Sequence, residues 1–283
     1  IQGMSTGFTD ATAVATVNGT AAEIRALLLL EDTNGNKVGL DGDFKMTVSD
    51  GQASVTDVNT MAAFATSGEI TATISNNDIA DLDDLTTSAA DQLTVTVTST
   101  SATALQLTTV AAATGLNVTA TAVETVTGTA TQMDALLTAE GTTGDKINLD
   151  DNYNITISGS NATVDQANAY GAATDGVVTA TISNGDIADL DGLTTANTDQ
   201  LTVTVTSTSA TASQLTTVAG ATGLNVTATA VETVTGTATQ MDALLLAEGS
   251  TGDKINLDAD YAITINSGTA TVAQANAYDA ATD

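Results

Sequence analysis

Clustered aspartates are the residues of this sequence whose type and spacing are best suited to chemistry. They stand in short segments between apolar runs, where turns are expected. Grouped carboxylate oxygens in turns are ligands that Ca²⁺ prefers, so the clusters predict calcium binding. The competing interpretation is that they are helix caps and solvated turn residues. The candidate metal ligands are Asp41, Asp43, Asp81, Asp83, Asp84, Asp150, Asp151, Asp189, Asp191, Asp258 and Asp260.

Threonine pairs separated by one residue are a second candidate site. On neighbouring strands such pairs would stack about 4.8 Å apart on one exposed face. Regular threonine arrays resemble the ice-binding faces of antifreeze solenoids. The competing interpretation is that threonine simply suits the polar face of a strand. The pairs are Thr71/Thr73, Thr94/Thr96, Thr119/Thr121, Thr179/Thr181, Thr202/Thr204 and Thr227/Thr229.

Residue types that commonly carry catalysis are scarce. The 283 residues include no His and no Cys, so the chain lacks the commonest general base and the thiolate nucleophile. Acidic pairs could imitate the carboxylates of glycosidases. With no Trp, four Tyr and three Phe, however, there is little aromatic surface to hold a sugar ring. The sequence therefore predicts that the chain is not an enzyme and has no catalytic or cofactor-binding residues.

The charge of the chain restricts its partners. Five Lys plus Arg stand against 34 Asp plus Glu, a formal net charge of −29. Such a chain repels nucleic-acid phosphates and anionic lipid, and no apolar run approaches the ~20 residues of a membrane span. We expect neither nucleic-acid binding nor membrane insertion. Because 42% of the residues are apolar and follow a clear period, we expect a folded chain despite its acidity.

An internal repeat organises the elements that must position these residues. The segment from Leu116 to Leu137 recurs letter for letter from Leu224 to Leu245, an offset of 108 residues. A diverged copy lies upstream, where Ile24 to Ser49 matches Met133 to Ser158 with apolar positions retained. These copies predict three regions: residues 1–69 with diverged repeats, and two four-repeat regions at residues 70–176 and 177–283.

Each region contains smaller repeats of a strand followed by a helix. From Leu93 to Thr98, apolar residues alternate with threonine, which predicts a strand with one buried face. The segment from Ser101 to Ala111 follows it, and a capping-type residue before apolar residues three and four apart predicts a short helix. Ten such repeats begin near Val14, Val38, Ile70, Leu93, Leu116, Ile147, Val177, Leu201, Leu224 and Ile255.

The strand and the helix of one repeat have similar lengths, so the helix can run back along its own strand. Successive strands are then parallel, and the crossovers are right-handed. The sequence predicts an α/β solenoid of about ten coils, with one continuous parallel sheet and the helices on one face. A parallel β-helix is the alternative. Periods of this length are typical of solenoids.

Two further features follow from the repeats. The segments 116–128 and 147–159 carry about seven extra residues before the helix, which predicts a second short strand or an arc. Two sets of aromatic residues occupy repeated positions and are predicted to fill the core locally. They are Phe44, Tyr153 and Tyr261 in one set and Phe64, Tyr170 and Tyr278 in the other.

Three of the repeated segments, at 128–136, 154–164 and 178–183, resemble the tandem repeats of giant cyanobacterial and other bacterial cell-surface proteins. The resemblance covers nearly the whole chain. It implies secretion, a location at the cell surface or outside the cell, and a structural role in a surface layer or filament. A cell-surface polysaccharide is a further candidate partner. The resemblance carries over no catalytic residue.

Assembly is the last expectation from the sequence. Neither end of the repeat array shows a polar capping repeat, and uncapped repeat arrays expose an apolar layer. We therefore expect head-to-tail self-association through the ends of the solenoid. The alternatives are a calcium-dependent adhesin stalk and an ice-binding threonine solenoid.

Overall fold

The computed structural model describes residues 7–32, 37–49, 51–140, 146–248 and 254–282. Within these ranges, ten helices alternate with short strands, and all strand pairings are parallel. The predicted α/β class, with parallel strands and helices between them, is confirmed.

The element bounds follow the repeats of the sequence. The helices are α1 (Ala21–Asp32), α2 (Val55–Phe64), α3 (Ile79–Leu82), α4 (Ala104–Ala112), α5 (Ala130–Glu140), α6 (Val164–Ala173), α7 (Ile187–Leu190), α8 (Ala212–Gly220), α9 (Ala238–Glu248) and α10 (Val272–Ala281). The strands are β1 (Thr9–Asp10), β2 (Thr16–Gly19), β3 (Val38–Gly39), β4 (Lys45–Val48), β5 (Ile70–Thr73), β6 (Gln92–Thr96), β7 (Ser101–Thr103), β8 (Val118–Thr119), β9 (Thr125–Gly128), β10 (Ile147–Asn148), β11 (Asn154–Ile157), β12 (Val178–Thr181), β13 (Gln200–Thr202), β14 (Ser209–Thr211), β15 (Val226–Ala228), β16 (Thr233–Thr237), β17 (Ile255–Leu257) and β18 (Ala262–Ser267).

The chain divides into two compact units. The first contains Ile1–Glu124 and Ala135–Asp150, and the second contains Thr125–Asp134 and Asp151–Asp283. The region borders predicted at 69/70 and 176/177 stay predictions, because they describe sequence repetition and not compactness.

Strand alternation behaves as the sequence predicts. Leu93, Val95 and Val97 are buried, whereas Thr94 and Thr96 are exposed. Side chains of a strand alternate between its two faces, and burial of the apolar face supplies most of the stabilisation.

Helices begin slightly later than predicted. Ser101–Thr103 forms β7, and α4 starts at Ala104, because Thr103 and Gln106 form a capping box. In this motif each side chain accepts a hydrogen bond from the other residue's backbone N–H, which satisfies two donors that the first helical turn cannot pair. Capping boxes also start α2, α6, α8 and α10.

The longer repeats contain the second short strand that their extra residues predict. Strands β8 and β9 both precede α5, and β10 and β11 both precede α6. The first repeat has the same form, since β1 pairs with β3 and β2 pairs with β4. It therefore begins at Thr9, before the predicted start at Val14.

The strands form several separate sheets, and the predicted single continuous sheet is wrong. In the first unit one sheet has the order β2-β4-β5-β6-β8-β10. In the second unit β9, β11, β12 and β13 pair in that order, while β14-β16-β18 and β15-β17 form other sheets. In the first unit, β6 pairs with both β5 and β8 and so keeps one sheet continuous. In the second unit the equivalent strand β13 ends at Thr202, and Thr204 contacts Thr227 only through an isolated bridge, so the sheet is interrupted there.

The aromatic residues lie inside the repeats, with one exception. Phe44, Tyr153 and Tyr261 are buried, as are Tyr170 and Tyr278. The predicted equivalence of Phe64 with Tyr170 is wrong, because Met61 occupies the buried position on α2 and Phe64 is partly exposed. Tyr170 is six positions after Val164, the first residue of α6, and Met61 is six positions after Val55, the first residue of α2. Phe64 is nine positions after Val55 and therefore lies about one helical turn beyond the equivalent position.

Candidate functional site

The aspartates proposed as calcium ligands lie in turns and at the ends of short helices. Asp83 and Asp191 are the C-terminal caps of α3 and α7. Asp81 Oδ2 accepts a hydrogen bond from Asn76 Nδ2 at 3.0 Å, and Asp83 Oδ2 accepts one from Gln106 Nε2 at 2.9 Å. The other proposed ligands lie in or beside turns or in α7: Asp41, Asp43, Asp84, Asp150, Asp151, Asp189, Asp258 and Asp260.

The structure does not bring these carboxylates together. In the part of the chain that it describes, no three Asp or Glu side chains form a group that could hold a metal ion. Several of them instead accept hydrogen bonds from side-chain amides or from the backbone, as helix caps and turn residues do. Calcium binding stays a prediction.

The outward threonines form short ladders. Thr73 stands beside Thr94, and Thr96 stands beside Thr119, all of them exposed. On the next strand, β10, the residue beside Thr119 is Asn148, so the second ladder of threonines ends there. The array expected from the sequence is divided in this way because β6 pairs with β5 through its first residues and with β8 through its last. The second unit repeats the two pairs as Thr181 with Thr202 and Thr204 with Thr227.

Two buried aspartates outside the predicted clusters have a more definite role. Asp199 is 3% exposed; its Oδ1 accepts a hydrogen bond from Val178 N at 2.8 Å, and its Oδ2 accepts one from Ala196 N at 2.8 Å. Asp91 makes the equivalent bond to Ile70 N at 2.8 Å. A buried carboxylate is tolerated only when it is hydrogen-bonded in this way. The repeated Asp-Gln-Leu at the start of β6 and of β13 is the sequence signal for these residues.

Buried threonines join consecutive repeats in a second way. Thr222 is fully buried, and its hydroxyl accepts a hydrogen bond from Leu201 N at 3.0 Å while donating to Leu201 O at 2.8 Å. Thr114 makes the same two contacts with Leu93, at 3.0 and 2.8 Å. One side chain thereby satisfies both polar groups of a residue in the preceding repeat, which lies 21 positions earlier.

Helix N-termini receive caps from the following repeat. Val164 N, the first residue of α6, donates to Asn184 Oδ1 at 3.1 Å, and Ile187 N of α7 donates to Ser207 Oγ at 2.9 Å. The first helical N–H groups have no partner within their own helix, so each repeat here depends on the next one to satisfy them. The same contact recurs between Val55 and Asn76, Ile79 and Ser99, and Ala130 and Ser160.

Most of the few cations also bridge repeats. Lys254 Nζ donates to the carbonyl oxygens of Thr222 at 3.3 Å and Gly223 at 3.1 Å, just after the end of α8. Lys146 makes the equivalent contacts after α4. A cation is favourable there because carbonyl groups without partners carry partial negative charge at helix C-termini. Arg25 pairs with Asp57 at 2.8 Å, and this pair also joins two repeats.

Tyrosine hydroxyls complete the polar contacts between helices. Tyr278 OH donates to Asp242 Oδ1 at 2.8 Å and lies 2.9 Å from Ala238 O. Burial, together with the Asp242 carboxylate, raises the pKa of Tyr278 to about 12. Burial and an adjacent carboxylate also raise the pKa values of Tyr170, beside Asp134, and Tyr261, beside Glu248.

One apolar groove of about 520 Å³ lies in the first unit, along β2 and α1. Its walls include Val14, Val17, Leu27, Leu30 and Val38, and none of the described residues that line it has a titratable side chain. General acid–base catalysis needs such a group within hydrogen-bonding reach of the reacting atoms. This groove therefore holds no machinery for that chemistry.

No family model, no curated protein and no solved structure matches this chain. In the described ranges, no helix has the length and apolar character needed to cross a bilayer.

Proposed function

We propose that the chain is a repetitive structural protein of a cell-surface layer or an extracellular filament, without enzymatic activity. The observation that carries this proposal is that the same contacts between repeats recur 108 positions apart. Asp91 and Asp199, Thr114 and Thr222, and Lys146 and Lys254 each bind the preceding repeat through the same atoms in both copies. A catalytic protein needs one site, whereas a scaffold needs every junction between repeats to be alike.

The proposed architecture is an α/β solenoid of about ten coils. Three observations support it: the strands of consecutive repeats pair in chain order, the pairings are parallel, and one helix follows each repeat's strands. The separate sheets are compatible with a solenoid, because the interruption after β13 lies within one repeat and is spanned by the parallel bridge between Thr204 and Thr227.

Self-association through the ends belongs to the same proposal. The groove beside β2 and α1 leaves apolar side chains accessible to another chain. A contact between two different surfaces of identical chains does not close on itself, so it produces fibres. The acidic surface, with a net charge of −29, limits other lateral contacts between chains through repulsion.

Immunogold electron microscopy on intact cells of the organism that makes the chain tests the proposal. We expect label on a surface layer or on filaments outside the cell, and negative-stain images of the purified chain should show elongated particles that associate end to end. Label confined to the cell interior would contradict the surface role. No contact described above favours the adhesin stalk or the ice-binding solenoid over this function.

A further inference from the structure

Three Asp-Gly pairs in the described part of the chain share one reactive dipeptide but differ in their surroundings. They are Asp41-Gly42, Asp175-Gly176 and Asp191-Gly192. In an Asp-Gly pair the main-chain nitrogen of the glycine can attack the carboxyl group of the aspartate, because glycine has no Cβ atom to hinder the approach. All three aspartates are exposed, so access of water does not distinguish them.

The partner of the glycine N–H does distinguish them. Gly42 N donates to Asp41 Oδ1 at 2.8 Å, so it contacts the carboxyl group of its own pair. Gly176 N donates instead to Thr174 Oγ1 at 2.9 Å, and Gly192 N donates to Asp189 O at 3.0 Å. Among these three pairs, the attacking nitrogen and the carboxyl group are thus in contact at Asp41 alone. Reacting groups held in contact react faster than groups that must first find each other.

The fold also leaves the three glycines different freedom to move. A Cβ atom at Gly176 would collide with Tyr153 O of the preceding repeat, so the backbone at this glycine is tightly packed. Gly192 follows α7, and its N–H belongs to the turn that ends this helix. A Cβ atom at Gly42 would meet nothing within 4 Å except Thr66 Oγ1, at 3.3 Å. The backbone at Gly42 therefore has the most room for ring closure.

We infer that Asp41 is a site of covalent self-modification, at which aspartate isomerises to isoaspartate. Gly42 N forms a bond to Asp41 Cγ, the Cγ–OH bond of the protonated carboxyl group breaks, and the hydroxyl group leaves as water together with the amide proton. The product is a succinimide ring. This step needs no reactant other than the chain itself.

Water then opens the ring in one of two ways. Cleavage of the bond between Gly42 N and Cγ restores aspartate. Cleavage of the bond between Gly42 N and the main-chain carbonyl carbon leaves the chain running through the side chain, which is isoaspartate. One water molecule leaves and one enters, so the mass of the chain is unchanged.

The equivalent turns in the two later copies of the repeat lack this pair. They contain Asp150-Asp151 and Asp258-Ala259, in which the attacking residue carries a Cβ atom. We therefore expect isomerisation at the turn between β3 and β4 and much less at its two counterparts. The inference goes beyond the proposed function and does not rest on it.

Isomerisation at Asp41 would alter a contact between two repeats. Gly42 O accepts hydrogen bonds from Ser67 N at 3.3 Å and from Ser67 Oγ at 3.4 Å. Isoaspartate adds one methylene group to the main chain directly before Gly42, which displaces this carbonyl oxygen. We expect the Ser67 amide to exchange its hydrogen faster in the isomerised chain.

Ageing of the full, folded chain in mildly acidic buffer tests the inference, because the carboxyl group reacts in its protonated form. Trypsin cleaves after Lys37 and Lys45 and so releases residues 38–45 with Asp41, while a second protease releases peptides with Asp175 and Asp191. Isomers of equal mass are separated by chromatography, and electron-transfer fragmentation identifies the position of isoaspartate. The same ageing is repeated in urea at a concentration that unfolds the chain.

We expect isoaspartate to form at Asp41 at least about tenfold faster than at Asp175 or Asp191 in the folded chain, and at similar rates at all three in urea. The variant Gly42→Ala should reduce the rate at Asp41 to that of the other two sites, because its Cβ atom hinders the attack. Circular dichroism confirms that this variant is folded. The urea measurement tests the role of the fold without any substitution.

Three results would overturn the inference. Equal rates at the three sites in the folded chain would mean that the contact at Gly42 does not promote the reaction. A preference for Asp41 that persists in urea would mean that the neighbouring sequence decides it. Unchanged exchange of the Ser67 amide in the isomerised chain would contradict the effect on the contact between repeats. None of these results bears on where the chain resides, so the cell-surface proposal is judged separately by microscopy.

Discussion

At the scale of single residues, polar side chains that face inward hold the repeats in place. Thr222 satisfies two backbone groups of Leu201, and Asp199 satisfies backbone N–H groups of Val178 and Ala196. A typical hydrogen bond contributes about 0.5–1.5 kcal/mol, but a buried donor left without a partner costs about 1–3 kcal/mol. The loss of one such side chain is therefore more damaging than its small size suggests.

Thr222→Val tests this asymmetry, because valine keeps the shape of threonine and removes the hydroxyl. We expect the free energy of unfolding to fall by about 1–3 kcal/mol, since the buried Leu201 N–H loses its acceptor. The matched control is Thr202→Val, at an exposed strand position, where the change should stay within about 0.5 kcal/mol. Urea unfolding and exchange of the Leu201 amide measure the difference. Equal urea midpoints for the two variants would contradict the assigned role of Thr222.

The tyrosine hydroxyls predict how stability depends on alkaline pH. The pKa of Tyr278 rises from its ordinary value of 10.0 to about 12 in the folded chain. Between these two values the unfolded chain loses the phenol proton while the folded chain keeps it. The free energy of unfolding contributed by Tyr278 is therefore complete below about pH 10 and is lost as the pH rises to about 12.

Melting temperatures across this range measure the effect, with Tyr278→Phe as the control. We expect the melting temperature of the parent chain to fall more steeply with pH than that of the variant, because phenylalanine has no proton to lose. The lysines are the same in both chains, so their contribution cancels in the comparison. Tyrosinate absorbance that developed near pH 10 in all four tyrosines, with the circular dichroism unchanged, would refute this prediction.

At the scale of elements, the close approach of two repeats explains why position 176 is a glycine, although its backbone does not require one. A Cβ atom at Gly176 would collide with Tyr153 O, in the preceding repeat, whereas a Cβ at Gly220, the last residue of α8, would meet nothing within 4 Å. Gly68 is in the same position in the first unit, where a Cβ would collide with Phe44 O. The start of the repeats that contain α3 and α7 therefore needs a residue without a side chain.

Two glycine-to-alanine variants should consequently change stability in opposite directions. Gly176→Ala forces the backbones of two repeats apart, and we expect it to destabilise the chain by about 1–3 kcal/mol or more. Gly220→Ala should stabilise it by up to about 1 kcal/mol, because alanine loses less conformational freedom in a helix. Thermal unfolding followed by circular dichroism compares them. A shift of the same sign in both variants would show that contact with Tyr153 does not decide the effect.

At the scale of the whole molecule, charge opposes compactness. A net charge of −29 on 283 residues places many carboxylates near one another, and the described salt bridges are Arg25 with Asp57 and Lys45 with Glu69. Self-repulsion of this kind destabilises a compact state and is screened by salt.

We expect sodium chloride to raise the melting temperature of the chelator-treated chain progressively up to about 0.15 M, where the Debye length is about 8 Å. Calcium chloride at the same ionic strength is the comparison that tests the aspartate clusters. A melting temperature that rises further in calcium chloride than in sodium chloride would support calcium ligands in the turns. The double variant Asp150→Asn with Asp151→Asn should then reduce this additional rise. Identical curves in the two salts would contradict calcium binding and leave screening as the cause.

The local order of this protein could be predicted from its sequence alone. Alternation from Leu93 to Thr98 decides which side chains face inward, because a strand turns successive residues to opposite sides whatever surrounds it. The α/β class and the second strand in the longer repeats followed from the same local patterns and from repetition. These properties depend on neighbours a few positions away in the chain.

Burial of individual polar residues was decided only by the tertiary structure. Asp81 and Asp91 are alike in type and lie ten positions apart, yet Asp81 accepts a bond from Asn76 on the surface, while Asp91 is buried and holds Ile70. What distinguishes them is the backbone of a neighbouring repeat about 20 residues away, which periodicity cannot locate. The division into separate sheets has the same cause, because a strand's pairing partner depends on how the adjacent repeat is placed and not on the strand's own sequence.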